Sequence, residues 1–190
     1  MSGRGSVNRR DDHTDMKLQA ENRLVINEDI EVTEYSPDVF AFLRLKDGFN
    51  NKILKESLDP EANREKVFKA GESQGKSGSF FFFSKDGKFL IKTMTDSDFN
   101  AFQRIQKAYF AHINRHDDSL LARVYGIYSV RMEDQKPVKL LVMENGMKGM
   151  TKETGLGVFD LKGSMVNRIV KGKNHKVTAT LKDQNLLRMN

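Results

Sequence analysis

The period of the apolar positions changes several times along the chain, and each change marks an element. Behind Ser36-Pro37, Val39, Phe40, Phe42 and Leu43 form one apolar face, and proline suits a first helical turn, so a helix is expected there. A weaker helical patch runs from Ile53 to Leu58. Asp59-Pro60 ends it, because the residue before proline is pushed out of the helical region. Phe80 to Phe83 and Phe89 to Met94 are apolar runs joined by Ser84-Lys85-Asp86-Gly87-Lys88, and Asp-Gly between two such runs signals a hairpin. Phe99, Phe102, Ile105, Tyr109 and Ile113 then recur at helical spacing behind Thr95-Asp96, a capping pair, which predicts an amphipathic helix from about 96 to 114. Two further strands are expected, Arg123 to Met132 and Val138 to Glu144, with Glu133 to Pro137 as their turn. A glycine-rich linker, Gly146 to Gly157, leads to a short strand over Val158 to Leu161 and a basic stretch ending near Lys182. This order predicts an α+β fold, an antiparallel β-sheet with packed helices.

Composition narrows the picture. The 190 residues carry 32 Lys and Arg against 26 Asp and Glu, a net charge of +6 and a pI near 9.4, which admits nucleic acid, anionic membrane or phosphorylated ligands without choosing among them. Thirteen phenylalanines argue against a wholly disordered chain. Residues 1 to about 22 are polar, with no apolar period to close a core, and the segment 1–32 is read as a disordered polar tail before a folded region at 33–190. The chain has no cysteine, which excludes disulfides and thiolate metal sites and points to a reducing, intracellular compartment. The longest apolar stretches, Phe80 to Phe83 and Leu140 to Met143, fall far short of the ~20 residues that span a bilayer, so a soluble protein is expected.

Three segments carry candidate chemistry. Gly71 to Ser79 is a glycine and serine loop, and Gly75-Lys76-Ser77 satisfies a relaxed phosphate-loop pattern. A phosphate loop opens a helix, however, whereas this one leads into a strand, so the better reading is a flap whose backbone N–H groups cover nucleotide phosphates. A flexible connector is the alternative. If Asp86-Gly87 is a two-residue turn, facing residues sum to 173 and Lys92 lies opposite Phe81, close to the end of that loop. Loop and lysine together favour phosphate binding. Asp98, on the first turn of the next helix, is available to hold Lys92, although acids at helix starts commonly serve the helix dipole. Met143-Glu144-Asn145, ending an apolar strand before the linker, suits an adenine-contacting hinge.

From Phe159 to Lys176 five basic residues face one acid, a local balance of +4. Polyanions are the expected partner, although such a run is commonly just a solvated face; nucleic acid, for which the segment offers no aromatic stacking platform, and a membrane with phosphorylated headgroups would both attract it, and composition does not separate these readings. His112 and His116 stand four residues apart with no evident third ligand, so no metal site is assigned.

Gly75-Lys76-Ser77-Gly78-Ser79-Phe80, Phe89-Leu90-Ile91-Lys92-Thr93, Tyr125-Gly126-Ile127-Tyr128, Leu141-Val142-Met143-Glu144-Asn145 and Phe159-Asp160-Leu161-Lys162-Gly163-Ser164 fall in the order seen in phosphatidylinositol phosphate kinases, which this chain resembles over roughly residues 33 to 187. The resemblance implies the amino-terminal lobe of a SAICAR synthase-like kinase core, with 33–190 a partial kinase domain lacking the carboxy-terminal lobe and its Met-Asp-Tyr-Ser segment. It implies ATP-dependent phosphorylation of a phosphatidylinositol phosphate headgroup, for example phosphatidylinositol 4-phosphate to the 4,5-bisphosphate, with ATP and Mg²⁺ as cofactors. A non-catalytic nucleotide- or phosphoinositide-binding module is the alternative.

By that resemblance Gly75, Lys76, Ser77, Gly78 and Ser79 form the flap, Lys92 meets the ATP phosphates, Asp98 supports it, and Met143, Glu144 and Asn145 meet adenine. Asp160 organises its segment, Lys162 and Arg168 approach the transferred phosphate and the headgroup, and Lys171, Lys173 and Lys176 face the membrane surface. The implied partners are a phosphoinositide in an anionic membrane and a nucleotide, with a homodimer left open. The implied location is cytoplasmic, peripheral at the inner face of the plasma membrane or another anionic membrane.

Overall fold

The computed structural model describes residues 20–64, 80–148, 157–171 and 180–189. The chain divides into two compact units, residues 1–146 and 147–190. The flap residues Gly75, Lys76, Ser77, Gly78 and Ser79, the membrane-surface residues Lys173 and Lys176, and most of the glycine-rich linker lie outside the described residues.

In the first unit six strands form one sheet: β1 (Glu21–Asn27), β2 (Ile30–Tyr35), β3 (Phe81–Phe83), β4 (Phe89–Met94), β5 (Val124–Met132) and β6 (Val138–Glu144). Their order is β1-β2-β5-β6-β4-β3, and every neighbouring pair is antiparallel. Helices α1 (Pro37–Lys46), α2 (Asn51–Ser57) and α3 (Asp96–Arg115) are among those that accompany it.

The β3–β4 and β5–β6 hairpins fall where the apolar runs put them. The β1–β2 hairpin departs from the expected disordered tail, since residues 21–32 take part in paired strands and the turn between them. All seven residues of β1 are exposed, so this strand is held by backbone pairing to β2 and buries no side chain that would give an apolar period. A strand without a buried face leaves no mark in the hydrophobic pattern.

Both faces of the sheet are packed. On one, Val39, Phe40 and Leu43 of α1 meet Phe110 and Ile113 of α3 over Val124 and Ile127 of β5, all less than 9% exposed. On the other, Phe89, Ile91, Tyr125 and Val142 are covered by Phe49, Leu54 and Leu58, from α2 and the turns at its ends. Helix α3 buries Phe99, Phe102, Tyr109, Phe110 and Ile113 at least in part, but Ile105 points to solvent. Gln106 takes the inward position in that turn, donating to Ser36 Oγ at 2.5 Å.

The ladder between β5 and β6 shifts register between Val124 and Gly126, a bulge. The guanidinium of buried Arg44 donates to the Tyr125 carbonyl at 2.6 Å, tying α1 to this bulge. A Cβ on Gly126 would stand 2.6 Å from the Tyr128 ring, so a larger residue there requires that ring to move.

The second unit contains a parallel strand pair, β7 (Val158–Asp160) and β8 (Thr180–Lys182), followed by the single-turn helix α4 (Asp183–Leu187). The strand expected over Val158 to Leu161 is therefore present, but its parallel partner was not foreseen.

Candidate functional site

The turn between β3 and β4 sets the position of Lys92. Phe81 pairs with Lys92, the register that a sum of 173 requires, although the loop is not a two-residue turn. Ser84 N–H donates to the Phe89 carbonyl at 2.9 Å and Gly87 N–H to the Ser84 carbonyl at 2.9 Å, leaving a four-residue loop with Gly87 at φ 68°, where glycine is favoured. The same sum holds because the loop is symmetric about Asp86-Gly87.

Polar groups fix this loop from three directions. Asp86 accepts hydrogen bonds from Ser57 Oγ (2.6 Å), Ser84 Oγ (2.8 Å) and Lys88 N–H (3.1 Å), with Lys88 Nζ 2.8 Å away. Burial pushes the Asp86 carboxyl up, but these hydrogen bonds, led by Lys88, hold it well below the usual carboxylate range. Asn63 donates to the Ser57 and Asp59 carbonyls and accepts from Lys85 N–H at 2.6 Å. Asn145 donates its side-chain amide to the Gly87 carbonyl at 2.7 Å.

Beyond β3 the pairing continues by one residue. Thr93 N–H donates to the Phe80 carbonyl at 2.8 Å, and Phe80 N–H donates to Thr93 Oγ1 at 2.9 Å. The exit of the glycine loop is thereby fixed beside Lys92. Lys92 also faces Leu141, which packs with the α1–α3 core, so its side chain leaves the sheet on that same face. It is partly buried, and among the described residues no carboxylate pairs with it.

Asp98 is engaged elsewhere. Its N–H donates to Thr95 Oγ1 at 3.1 Å and its carboxylate accepts from Thr95 N–H at 3.3 Å, a capping box at the start of α3. The expected Lys92–Asp98 pair is not made. At the third position of the helix a short aspartate reaches its own cap, and it is too short to do that and also reach the strand.

Met143, Glu144 and Asn145 end β6, with Glu144 facing Phe89, three residues along β4 from Lys92 and hence about 10 Å away. The N–H groups of Glu144 and Asn145 are spent on the Arg123 and Lys88 carbonyls at 2.8 and 3.0 Å. A purine at this segment would therefore meet its carbonyls and side chains, or the N–H groups that follow.

In the second unit Asp160 pairs with Arg168, whose environment differs from the one expected of a headgroup contact. Arg168 is 7% exposed and bonds internally through Nε to Asp183 Oδ2 (2.6 Å) and through Nη1 to Asp160 Oδ2 (3.3 Å), while Nη2 donates to the Asp160 carbonyl. The residue expected at the headgroup is thus an internal counter-charge, because two carboxylates converge on it. Lys162 is exposed, and its N–H and that of Gly163 donate to Asp183 Oδ1 at 2.9 and 2.8 Å. Arg168 foremost, against the opposing effect of burial, and then the two backbone N–H groups hold the Asp183 carboxyl well below the usual range. Lys171 is exposed.

Sequence reasoning assigned no role to Asp183, Asn185, Asn63 or Ser57. Among the described residues no group of three His, Asp or Glu is gathered to hold a metal ion, and no helix is long and apolar enough to cross a membrane.

Comparison with known proteins gives this arrangement a class. The family model for phosphatidylinositol-4-phosphate 5-kinase matches residues 62–190, and the chain belongs to that family. Its relatives include a probable phosphatidylinositol phosphate kinase of Dictyostelium discoideum, 35% identical over 136 residues (71% of this chain, 19% of the relative). A phosphatidylinositol 4-phosphate 5-kinase of Plasmodium falciparum is 32% identical over 162 residues (78% and 9%). Phosphatidylinositol 4-phosphate 5-kinase 1 of Arabidopsis thaliana is 32% identical over 155 residues (80% and 20%). The chain thus spans between 9% and 20% of the length of these relatives.

Proposed function

We propose that this chain supplies the ATP-binding lobe of a phosphatidylinositol phosphate kinase, moving the γ-phosphoryl group of ATP to a hydroxyl of a phosphoinositide headgroup. Phosphatidylinositol 4-phosphate, giving the 4,5-bisphosphate, is the substrate that the relatives' names favour. The observation that carries the reading is the register that sets Lys92 opposite Phe81, next to Phe80 where the chain leaves the glycine-rich segment.

In this reaction the bond from the γ-phosphorus to the β–γ bridging oxygen breaks. A bond to the inositol oxygen forms, the hydroxyl proton is lost, and ADP departs. Lys92 orients the phosphates and offsets their charge, while the backbone N–H groups of Gly75 to Ser79 cover them. Met143, Glu144 and Asn145 border the purine. Asp160, paired with Arg168, organises the segment that carries Lys162, whose exposed ammonium meets the headgroup phosphate. Lys171, Lys173 and Lys176 add attraction to an anionic membrane at about 1 kcal/mol each near the surface. This puts the protein at the cytoplasmic face of such a membrane. Magnesium, when bound, offsets charge on the phosphates, and among the described residues no three His, Asp or Glu gather around a site for it.

A second reading, a nucleotide- and phosphoinositide-binding module without turnover, is favoured by one observation: Asp98 is committed to the helix cap and leaves Lys92 unpaired. Incubating the protein with γ-labelled ATP, magnesium and vesicles containing phosphatidylinositol 4-phosphate separates the two. With a carboxy-terminal lobe of a family kinase supplied alongside, label in a bisphosphate product supports the kinase, binding of both ligands without transfer supports the module, and binding of neither overturns both.

A further inference from the structure

We infer that Asp183 is the positioning residue for Lys162, and that Arg168 serves as its buried counter-charge and does not contact the headgroup. This rests on the headgroup role proposed for Lys162.

The geometry is specific. Two successive backbone N–H groups, of Lys162 and Gly163, converge on the same oxygen of Asp183 at 2.9 and 2.8 Å, with Gly163 at φ 65°. Consecutive N–H groups turned inward in this way form an anion-binding concavity. Here the chain fills it with its own carboxylate. The other Asp183 oxygen is held by Arg168 Nε at 2.6 Å, and all three guanidinium nitrogens of Arg168 are bonded within the unit. Asp183 and Arg168 are 9% and 7% exposed, so neither charge is free to meet a ligand.

The surrounding loop is held in the same polar manner. Asn185 accepts from Val170 N–H at 2.9 Å and donates to the Val170 carbonyl at 3.0 Å, and Gln184 donates to the Met165 carbonyl at 2.5 Å. With the backbone of residues 162–163 fixed, the Lys162 side chain leaves the turn exposed, and among the described residues its ammonium has no partner. A lysine on a loose loop would lose more conformational entropy on binding a phosphate than one presented from a fixed turn.

The test uses the 190-residue chain and two readouts. In the unsubstituted protein the Lys162 and Gly163 amides should exchange hydrogen more slowly than those of exposed Ser164 and Met165. Equal exchange overturns the geometry without any variant. In Asp183→Asn a neutral oxygen replaces a charged acceptor, and hydrogen bonds to charged groups are the stronger kind, so protection of both amides should fall. The preference for vesicles of phosphatidylcholine with phosphatidylinositol 4-phosphate over charge-matched phosphatidylserine vesicles should fall by about tenfold, within the coupling range of residues in one network. Lys162→Ala should lose a similar factor, and Lys162→Ala with Asp183→Asn should lose no more than Lys162→Ala alone. Asp183→Glu, which keeps the charge, should recover part of the preference. Multiplying losses, or an Asp183→Asn protein with full preference, overturns the positioning role. Unsubstituted protein that shows no preference between the two vesicles overturns the headgroup reading of Lys162 instead, while the exchange readout still decides the geometry.

Discussion

The two units of this chain are held together by different physics. In the first, the sheet is packed on both faces by fully buried Phe40, Leu43, Ile113, Ile127, Phe89 and Tyr125, and the polar network at the β3–β4 turn adds precision to a frame that apolar burial already supports. In the second, among the described residues the most buried side chains are Arg168, Asp183 and Asn185, and Leu161, Met165 and Val166 stand exposed. A frame held by apolar packing tolerates the loss of one hydrogen bond. A loop held by a buried charge network does not, because removing one partner leaves the other unsolvated.

The contrast can be broken most severely at Phe40, which is 1% exposed between α1, α3 and the sheet. Phe40→Ala should cost about 3–5 kcal/mol, from lost transfer energy and the cavity left behind. Amide exchange resolved by residue should show protection collapsing across β2, β4, β5 and β6, whereas a change confined to α1 would mean that the two faces of the sheet are not one cooperative unit.

Arg168→Met should do the reverse, abolishing protection at Lys162, Gly163 and Val170 while leaving β4 and β6 unchanged. The pH dependence follows the same network. Because the Asp183 carboxyl is held below its unfolded value, its contribution is fully present above the ordinary carboxylate range near pH 4, and it is lost as pH falls through that range toward the folded value. Amide protection at Gly163 should therefore stay level from pH 7 to about pH 5. A loss near pH 6 would require a different titrating group.

A smaller effect is expected from Ser57→Ala. It removes one of the four contacts on Asp86 and should cost about 1 kcal/mol, read as a shift of the denaturant midpoint at unchanged slope. A larger loss would mean that the turn carries more of the first unit's stability than its apolar faces do.

What was legible in the sequence divides along the same line. The elements that bury an apolar period, namely α1, α3 and the hairpin and strand pair of the central sheet, were readable because burial imposes the period. The Phe81–Lys92 register was readable too, since a loop symmetric about Asp86-Gly87 preserves the sum even though the turn type differed. The edge hairpin of β1 and β2 was not, having one strand with no buried residue, and neither was the parallel pair of β7 and β8, which are three residues each. Among the candidate site residues, Lys92 stands opposite Phe81 as the expected register requires, and Lys162 is exposed. Arg168 and Asp98 were given ligand-facing or pairing roles because residue type shows charge and not its partner. Asp183, which takes up the Arg168 charge, lies 15 residues away and becomes its partner only when the chain has folded, whereas Thr95, three residues before Asp98, is legible in the sequence as a cap.

The account turns on Lys92 as the cation that meets nucleotide phosphates, and titrating the unsubstituted protein and Lys92→Met with a fluorescent ATP analogue tests it most directly. Because Lys92 is partly exposed and has no ion pair among the described residues, the methionine should leave the thermal midpoint within a few degrees, written as about 1 kcal/mol or less. The account predicts saturable binding by the unsubstituted protein and a loss of about tenfold or more in Lys92→Met, about 1.4 kcal/mol. Equal affinity in the two proteins, with both folded, would contradict it.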